Sequence, residues 1–276
     1  MEQTRKENLL QKHMGEMMRD FHAFLEAHDI PYYLWAGTLL GAVRHKGFIP
    51  WDDDFDIAML REDFNRLLEI ADQIPEPYRL CCAGRPGIHE NFPYFFAKLE
   101  DTRTRLVENN IRHLGVPGGL YIDVFVLDAI PDAPLQQKLH KMQLGFWMAI
   151  RKLLLMDAKK PRSIFKQIPV VAAQKLFSLQ KVLKQAEKVA RKYEHAPVRR
   201  VSSLAEMYDS AQPEYDRDLL KGRILGAFED YQFCIPEQYH EILTITFGNY
   251  MQLPPEDQRV GAHNYELTMA DGSEFR

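Results

Sequence analysis

Apolar residues recur at helical spacing near the start of the chain. Leu9, Leu10, Met14, Met17, Met18, Phe21, Phe24 and Leu25 form one stripe, which predicts an amphipathic helix over about 4–27 that ends before Asp29-Ile30-Pro31. Short apolar runs follow. Tyr32-Tyr33-Leu34-Trp35 reads as a strand ending at Ala36-Gly37, Thr38–Arg44 as the start of a helix, and Phe55–Met59 as a short buried strand. A helix over 62–74 is expected next, with Phe64, Leu67, Leu68 and Ala71 on one face and Pro75 past its end. Strands are expected at 78–82, 92–99, 104–107 and 121–127. From Pro134 the pattern turns helical, with breaks expected at Pro161 and Pro169, and runs to about His195. A short helix at 216–220, a strand-like run over 223–233, a helix at 238–246 and a Pro-rich end complete the chain. No internal repeat or low-complexity tract is visible.

This succession predicts an α/β (α+β) fold. A mixed-sheet core with the N-terminal helix takes residues 1–133, a helical subdomain takes 134–200, and a C-terminal segment, 201–276, packs back on the core. A Rossmann fold is disfavoured, because no Gly-x-Gly-x-x-Gly follows the first strand and helices do not alternate regularly with strands.

A chain of 276 residues with 46% hydrophobic content can bury a full core. Its three cysteines, Cys81, Cys82 and Cys234, form neither a disulfide framework nor a zinc spacing. The N-terminus is polar, without the apolar centre of a signal peptide, and no apolar run is long enough to cross a bilayer. A cytoplasmic protein is therefore expected. The net charge of −4 conceals an asymmetry: residues 138–200 carry sixteen Lys and Arg against three acids, +13, so the remainder carries −17. Basic amphipathic helices of this kind suit an anionic membrane surface, where the segment is expected to make a peripheral contact at the inner face. The alternative is a helical subdomain with solvated cations. Nucleic acid is not an expected partner, given the net charge and the absence of a recognition motif.

The chemistry concentrates in residues 37–59, where a glycine turn and helix start precede a run of acids. Glycine lets a ligand approach the backbone, and free N–H groups at a helix start attract anions, which makes Gly37 and Thr38 candidate phosphate contacts. Asp54 and Asp56 share a face by strand parity and can grip one cation. Asp52 has the same parity and is a further candidate metal ligand, whereas Asp53 faces elsewhere. Asp123 is the candidate third carboxylate, since an acid inside the apolar run Tyr121-Ile-Asp-Val-Phe-Val is costly unless paired or metal-bound. The alternative is a turn cap or an arginine partner.

Arg44 can fork onto two phosphate oxygens, with Lys46 as a point charge. His45 is a general base for an attacking hydroxyl or a hydrogen-bonding prop. Trp51 and Tyr33 either stack on a base or a quaternary ammonium or belong to the core. Lys98 and Arg103 are secondary phosphate candidates. Carboxylates with Mg²⁺ or Mn²⁺ suit an in-line displacement at phosphorus, and no serine or cysteine nucleophile motif suggests a covalent intermediate.

The pieces G-T-L-L-G-x-x-R-H, G-x-I-P-W-D-D-D and D-x-D-I resemble the LicD family, with weaker echoes at 98–104, 119–128 and 247–255. The resemblance spans about 21–263 and is faintest over 134–200. It implies a nucleotidyltransferase-like fold, a distant relation to the fukutin-related enzymes, and Asp123 as the third acidic ligand. It also implies transfer of phosphocholine or a similar phosphoalcohol from CDP-choline or another CDP-alcohol to a cell-surface glycan or teichoic acid precursor, with a lipid-linked acceptor. Two rivals stay open: a nucleotidyltransferase acting on a small molecule, and a catalytically silent glycan- or membrane-binding protein.

Overall fold

The computed structural model describes residues 2–160, 163–204, 213–261 and 264–275. The first helix, α1 (Glu2–Ala27), buries Met14, Met17, Met18, Phe21 and Leu25, the stripe that its periodicity predicts. Strand β1 (Tyr33–Leu34) leads into α2 (Ala36–Arg44), and β2 (Asp56–Leu60) into α3 (Arg61–Ile70). Three strands follow: β3 (Tyr78–Cys81), β4 (Ala97–Glu108) and β5 (Gly118–Ile130). The helices α4 (Pro134–Leu154), α5 (Ile164–Leu176) and α6 (Leu179–Ala190) come next. The chain then forms β6 (Arg200–Ser203), β7 (Tyr215–Asp216), the hairpin β8 (Arg223–Phe228) and β9 (Tyr231–Pro236), α7 (Tyr239–Phe247), β10 (Tyr265–Thr268) and β11 (Glu274–Phe275).

The main sheet is mixed. Its order is β1-β2-β5-β4-β10-β11, with β3 also on β4 and β6 joining β5 to β7. Only β2 and β5 run parallel among the paired strands. The main hydrophobic cluster draws on α1, the sheet and the β8–β9 hairpin, whereas α4–α6 gather around two smaller clusters that both touch Phe95.

Several local expectations change. Residues 97–108 form one bulged strand instead of two, and 92–96 lie outside it. Gly119 allows the bulge, since a Cβ there would meet the Asp101 carbonyl at 2.2 Å. Pro169 does not break α5. The bond it removes would end on Phe165, whose position near the exposed start of the helix leaves that carbonyl to water. The 223–233 run is a hairpin, turned at Glu229 with φ of 50°. The local pattern predicts no strand at β6 or β10, and pairing with β5 and β4 makes them strands.

Candidate active site

The parallel register of β2 and β5 sets Asp56 opposite Asp123, and the antiparallel register of β4 sets Lys98 opposite Asp123. Directly paired residues share a face, so Asp56, Asp123 and Lys98 form one row across three strands. All three are buried, while Ile57, Val124 and Leu99, one step along, point to the other side and are fully enclosed. Asp54 lies two residues before β2, half-buried, close enough that its charge reaches two phenols. Burial first, then Asp123, Glu108, Tyr94 and Asp54, push the Tyr121 phenol well up. Burial, Asp53 and Asp54 do the same to Tyr265.

The start of β2 is pinned from α2. The buried Thr38 hydroxyl accepts the Asp56 backbone N–H at 2.8 Å, and the Trp35 N–H donates to the Asp56 carbonyl at 3.0 Å. Thr38 therefore positions Asp56. Gly37 lies against Asp52, whose Oδ2 would stand 3.0 Å from a Cβ at that position. A carboxylate at the first turn of a helix is favoured by the helix dipole. Asp52 sits in a turn, its N–H donating to the Ile49 carbonyl, so strand parity does not govern it. Asp53 faces Gly261, with Oδ2 3.0 Å from where a Cβ would be. The left-handed backbone at this turn falls on Ala36, φ 43°, and not on Gly37.

Lys98 is 2% exposed, with Nζ 3.1 Å from Glu108 Oε1 and 3.8 Å from Asp123 Oδ1. The ammonium also stands 3.1 Å from the Tyr121 ring centre and 3.8 Å from that of Tyr94. Tyr94 in turn donates its hydroxyl to Glu108. A cavity of about 260 Å³ opens beside this group, lined by Tyr94, Lys98, Glu100, Glu108 and Tyr121 among others.

Arg44 donates Nη1 to the backbone carbonyls of Tyr250, at 2.8 Å, and Gln252, at 3.4 Å, and so ties the end of α2 to the segment after α7. The His45 ring meets Trp51 edge-on at 6.4 Å. Burial first, and then the neighbouring Arg44, hold the His45 imidazole below its ordinary pKa, and Arg44 Nε donates to its Nδ1 at 3.4 Å. Arg259 sits over the Trp51 ring at 5.7 Å. Lys46 is exposed, in left-handed backbone. Tyr33 is buried and donates to the Leu220 carbonyl, which makes it a core residue. Arg103 pairs with Asp101 at the β4 bulge, where Asp101 also meets His13.

Sequence reasoning did not single out Tyr94, Tyr121, Glu108 or Glu229. Glu229 holds the loop after α2 by accepting the Phe48 N–H at 3.0 Å. A lysine inside an apolar strand does signal a buried counter-charge, but Glu100 and Glu108 follow it equally and only the fold chooses Glu108 for Nζ. Among the described residues, the group of three His, Cys, Asp or Glu side chains whose ligand atoms lie within 4.8 Å of one another is His22, Glu26 and Cys234. There the Arg223 guanidinium, 2.7 Å from Glu26, already supplies positive charge.

Residues 29–84 match the family described as LicD/FKTN/FKRP, nucleotidyltransferase domain. The lipopolysaccharide cholinephosphotransferase LicD of Haemophilus influenzae is 31% identical over 253 residues, covering 89% of this chain and 91% of that protein. The human ribitol 5-phosphate transferase FKRP is 51% identical over 50 residues, 18% of this chain and 10% of its own length. Mannosyltransferase regulator 4 of Saccharomyces cerevisiae is 32% identical over 142 residues, 47% and 11% respectively. An α/β sheet with an acidic row, in a chain with these relatives, defines a phosphotransferase. The chain belongs to the LicD family.

Proposed function

We propose that the protein moves phosphocholine, or a similar phosphoalcohol, from a CDP-activated donor to a hydroxyl of a cell-surface glycan or teichoic acid precursor. The reading is carried by the similarity to the Haemophilus cholinephosphotransferase over 89% of the chain, a span that includes the acidic row. Mg²⁺ or Mn²⁺ is the proposed cofactor. The residues fit it: Asp56 and Asp123 are buried, register-matched hard oxygen donors, with Asp54 adjacent and Asp52 the further candidate. The ion would offset charge on a donor diphosphate.

The protein's own part is placement and proton handling. Thr38 fixes the start of β2 and hence Asp56. Lys98 holds Asp123 from the neighbouring strand and sets a positive charge beside the carboxylates. His45 accepts the Arg44 Nε–H on Nδ1 at 3.4 Å, so it props that guanidinium or, with the bond released, takes the proton of the attacking hydroxyl, and Trp51 beside it offers an aromatic surface. Gly37, Arg44 and Lys46 frame the donor side. Direct in-line transfer follows from this set of groups. Among the described residues no helix is long and apolar enough to cross a membrane. The three cysteines are free, which suits the proposed action in the cytoplasm.

The test is incubation with Mg²⁺ and a panel of CDP-alcohols and nucleoside triphosphates, with products followed by mass. CMP release with a phosphoalcohol on the acceptor, lost in Asp123→Asn and on chelation, is the expected result. Pyrophosphate release with a nucleotidylated product would replace the proposal by the nucleotidyltransferase reading.

A further inference from the structure

The helices after β5 bury one side and leave the other strongly apolar. In α4, Leu144, Met148 and Ile150 face inward, while Leu135, Leu139, Met142 and Phe146 recur at spacings of three and four on the solvent side. Their exposures are 70, 48, 61 and 57%. In α5, Val170 and Ala173 are buried, while Ile164, Phe165, Ile168 and Leu176 are 67, 84, 59 and 75% exposed. The two stripes are joined. Phe146 packs on Trp147 at 5.1 Å, and Trp147 on Phe177, at the end of α5, at 6.4 Å. Isolated exposed apolar residues need no explanation, but a continuous face across two helices does.

Cations surround this face. Lys138, Lys152, Lys159, Lys160, Lys166 and Lys175 are all exposed on or between the two helices. Elsewhere in the segment Arg151 donates to the Pro93 carbonyl, Lys141 and Arg200 pair with Glu214, and Arg191 pairs with Glu194. Helix α6 is not part of the face, because Leu179, Val182, Leu183 and Ala186 are buried against α4 and α5.

We propose that the outer face of α4 and α5 docks on the surface of an anionic lipid bilayer, with Phe165 and Ile168 entering the headgroup region and the lysines meeting anionic headgroups. Charge decides the occupant. A second copy would bring like-charged faces together, whereas an anionic bilayer offers both the opposite charge and an apolar layer beneath it. The inference does not rest on the proposed reaction, and its test uses no donor or acceptor.

The experiment is co-sedimentation of the full chain with vesicles of phosphatidylcholine alone or with about one-third phosphatidylglycerol, at low and high salt. Two variants accompany it: Phe165→Ser/Ile168→Ser, and Lys159→Gln/Lys160→Gln/Lys166→Gln/Lys175→Gln. Every altered side chain is exposed, so circular dichroism should match the parent. Binding to the anionic vesicles that weakens with salt, at least tenfold in the lysine variant and as much in the apolar one, is expected. Equal binding to neutral and anionic vesicles, no binding, or indifference to both variants would overturn the proposal. A stable dimer in light scattering that Phe165→Ser/Ile168→Ser converts to monomer would assign the face to self-association instead.

Discussion

Thr38→Val tests how the acidic row is held. The substitution keeps the β-branch and nearly the volume, and removes only the hydroxyl that accepts the Asp56 N–H at 2.8 Å. Thr38 is 2% exposed, so water cannot replace the lost acceptor where the two segments meet. A buried donor deprived of its partner costs about 1–3 kcal/mol. For a chain of this size that is a fall in melting temperature of about 2–10 °C. Thr38→Ser keeps the hydroxyl and loses a methyl, a change of about 1 kcal/mol that leaves Asp56 held. Urea denaturation of the three proteins gives the stabilities, and CMP release from the CDP-alcohol that serves best gives the activity. Thr38→Val should lose more activity than its stability loss explains, and Thr38→Ser should retain it. A valine variant within about 0.5 kcal/mol of the parent, with undiminished turnover, would show that Thr38 does not position β2.

Asp63 is buried in α3, and burial first, with Glu62, raises its carboxyl from 3.8 to about 6. A raised folded-state pKa adds no cost below 3.8 and costs stability as pH rises through about 6. Asp63→Asn should therefore leave stability unchanged near pH 4 and raise it by at most about 3 kcal/mol at pH 8; thermal melts showing no gain at pH 8 would contradict this. Asp128→Ala should cost about 1.5–3 kcal/mol, because the 3%-exposed Arg61 loses the two oxygens that its Nε and Nη2 reach and keeps only Glu187, 2.7 Å from Nη1, as a close counter-charge. Chemical denaturation measures it, and a loss under 1 kcal/mol would be too small for that pair. Arg44→Lys should quicken amide exchange across 248–253, since lysine cannot reproduce the guanidinium contacts with Tyr250 and Gln252. Unchanged exchange there would mean that another contact holds the segment.

The elements themselves were largely legible. The stripe of α1, the α2 start and the buried run after Asp54 follow from periodicity and glycine placement, because these act over a few residues. The acids stood out for a similar reason: Asp56 and Asp123 lie in apolar runs, where an acid is costly. Chemistry visible in the chain and the length of its family match agree on a phosphotransferase.

Which groups meet was decided only by the tertiary structure. Nothing local tells β2 to pair with β5 in the register that sets Asp56 against Asp123, and a slip of one residue would have placed Val124 there. Strand parity misled at Asp52, since the chain turns before it extends, and the carboxylate settles against the first turn of α2. Arg44 reads in sequence as a fork for phosphate, yet beside His45 its acceptors are the Tyr250 and Gln252 carbonyls, more than two hundred residues away. Lys98 gains its neighbours from β5, from the far end of β4 and from the loop before it. Composition decides that such a lysine needs a counter-charge and such a helix an apolar partner. The choice of neighbour depends on pairings distant in sequence, where local pattern carries no information and packing does.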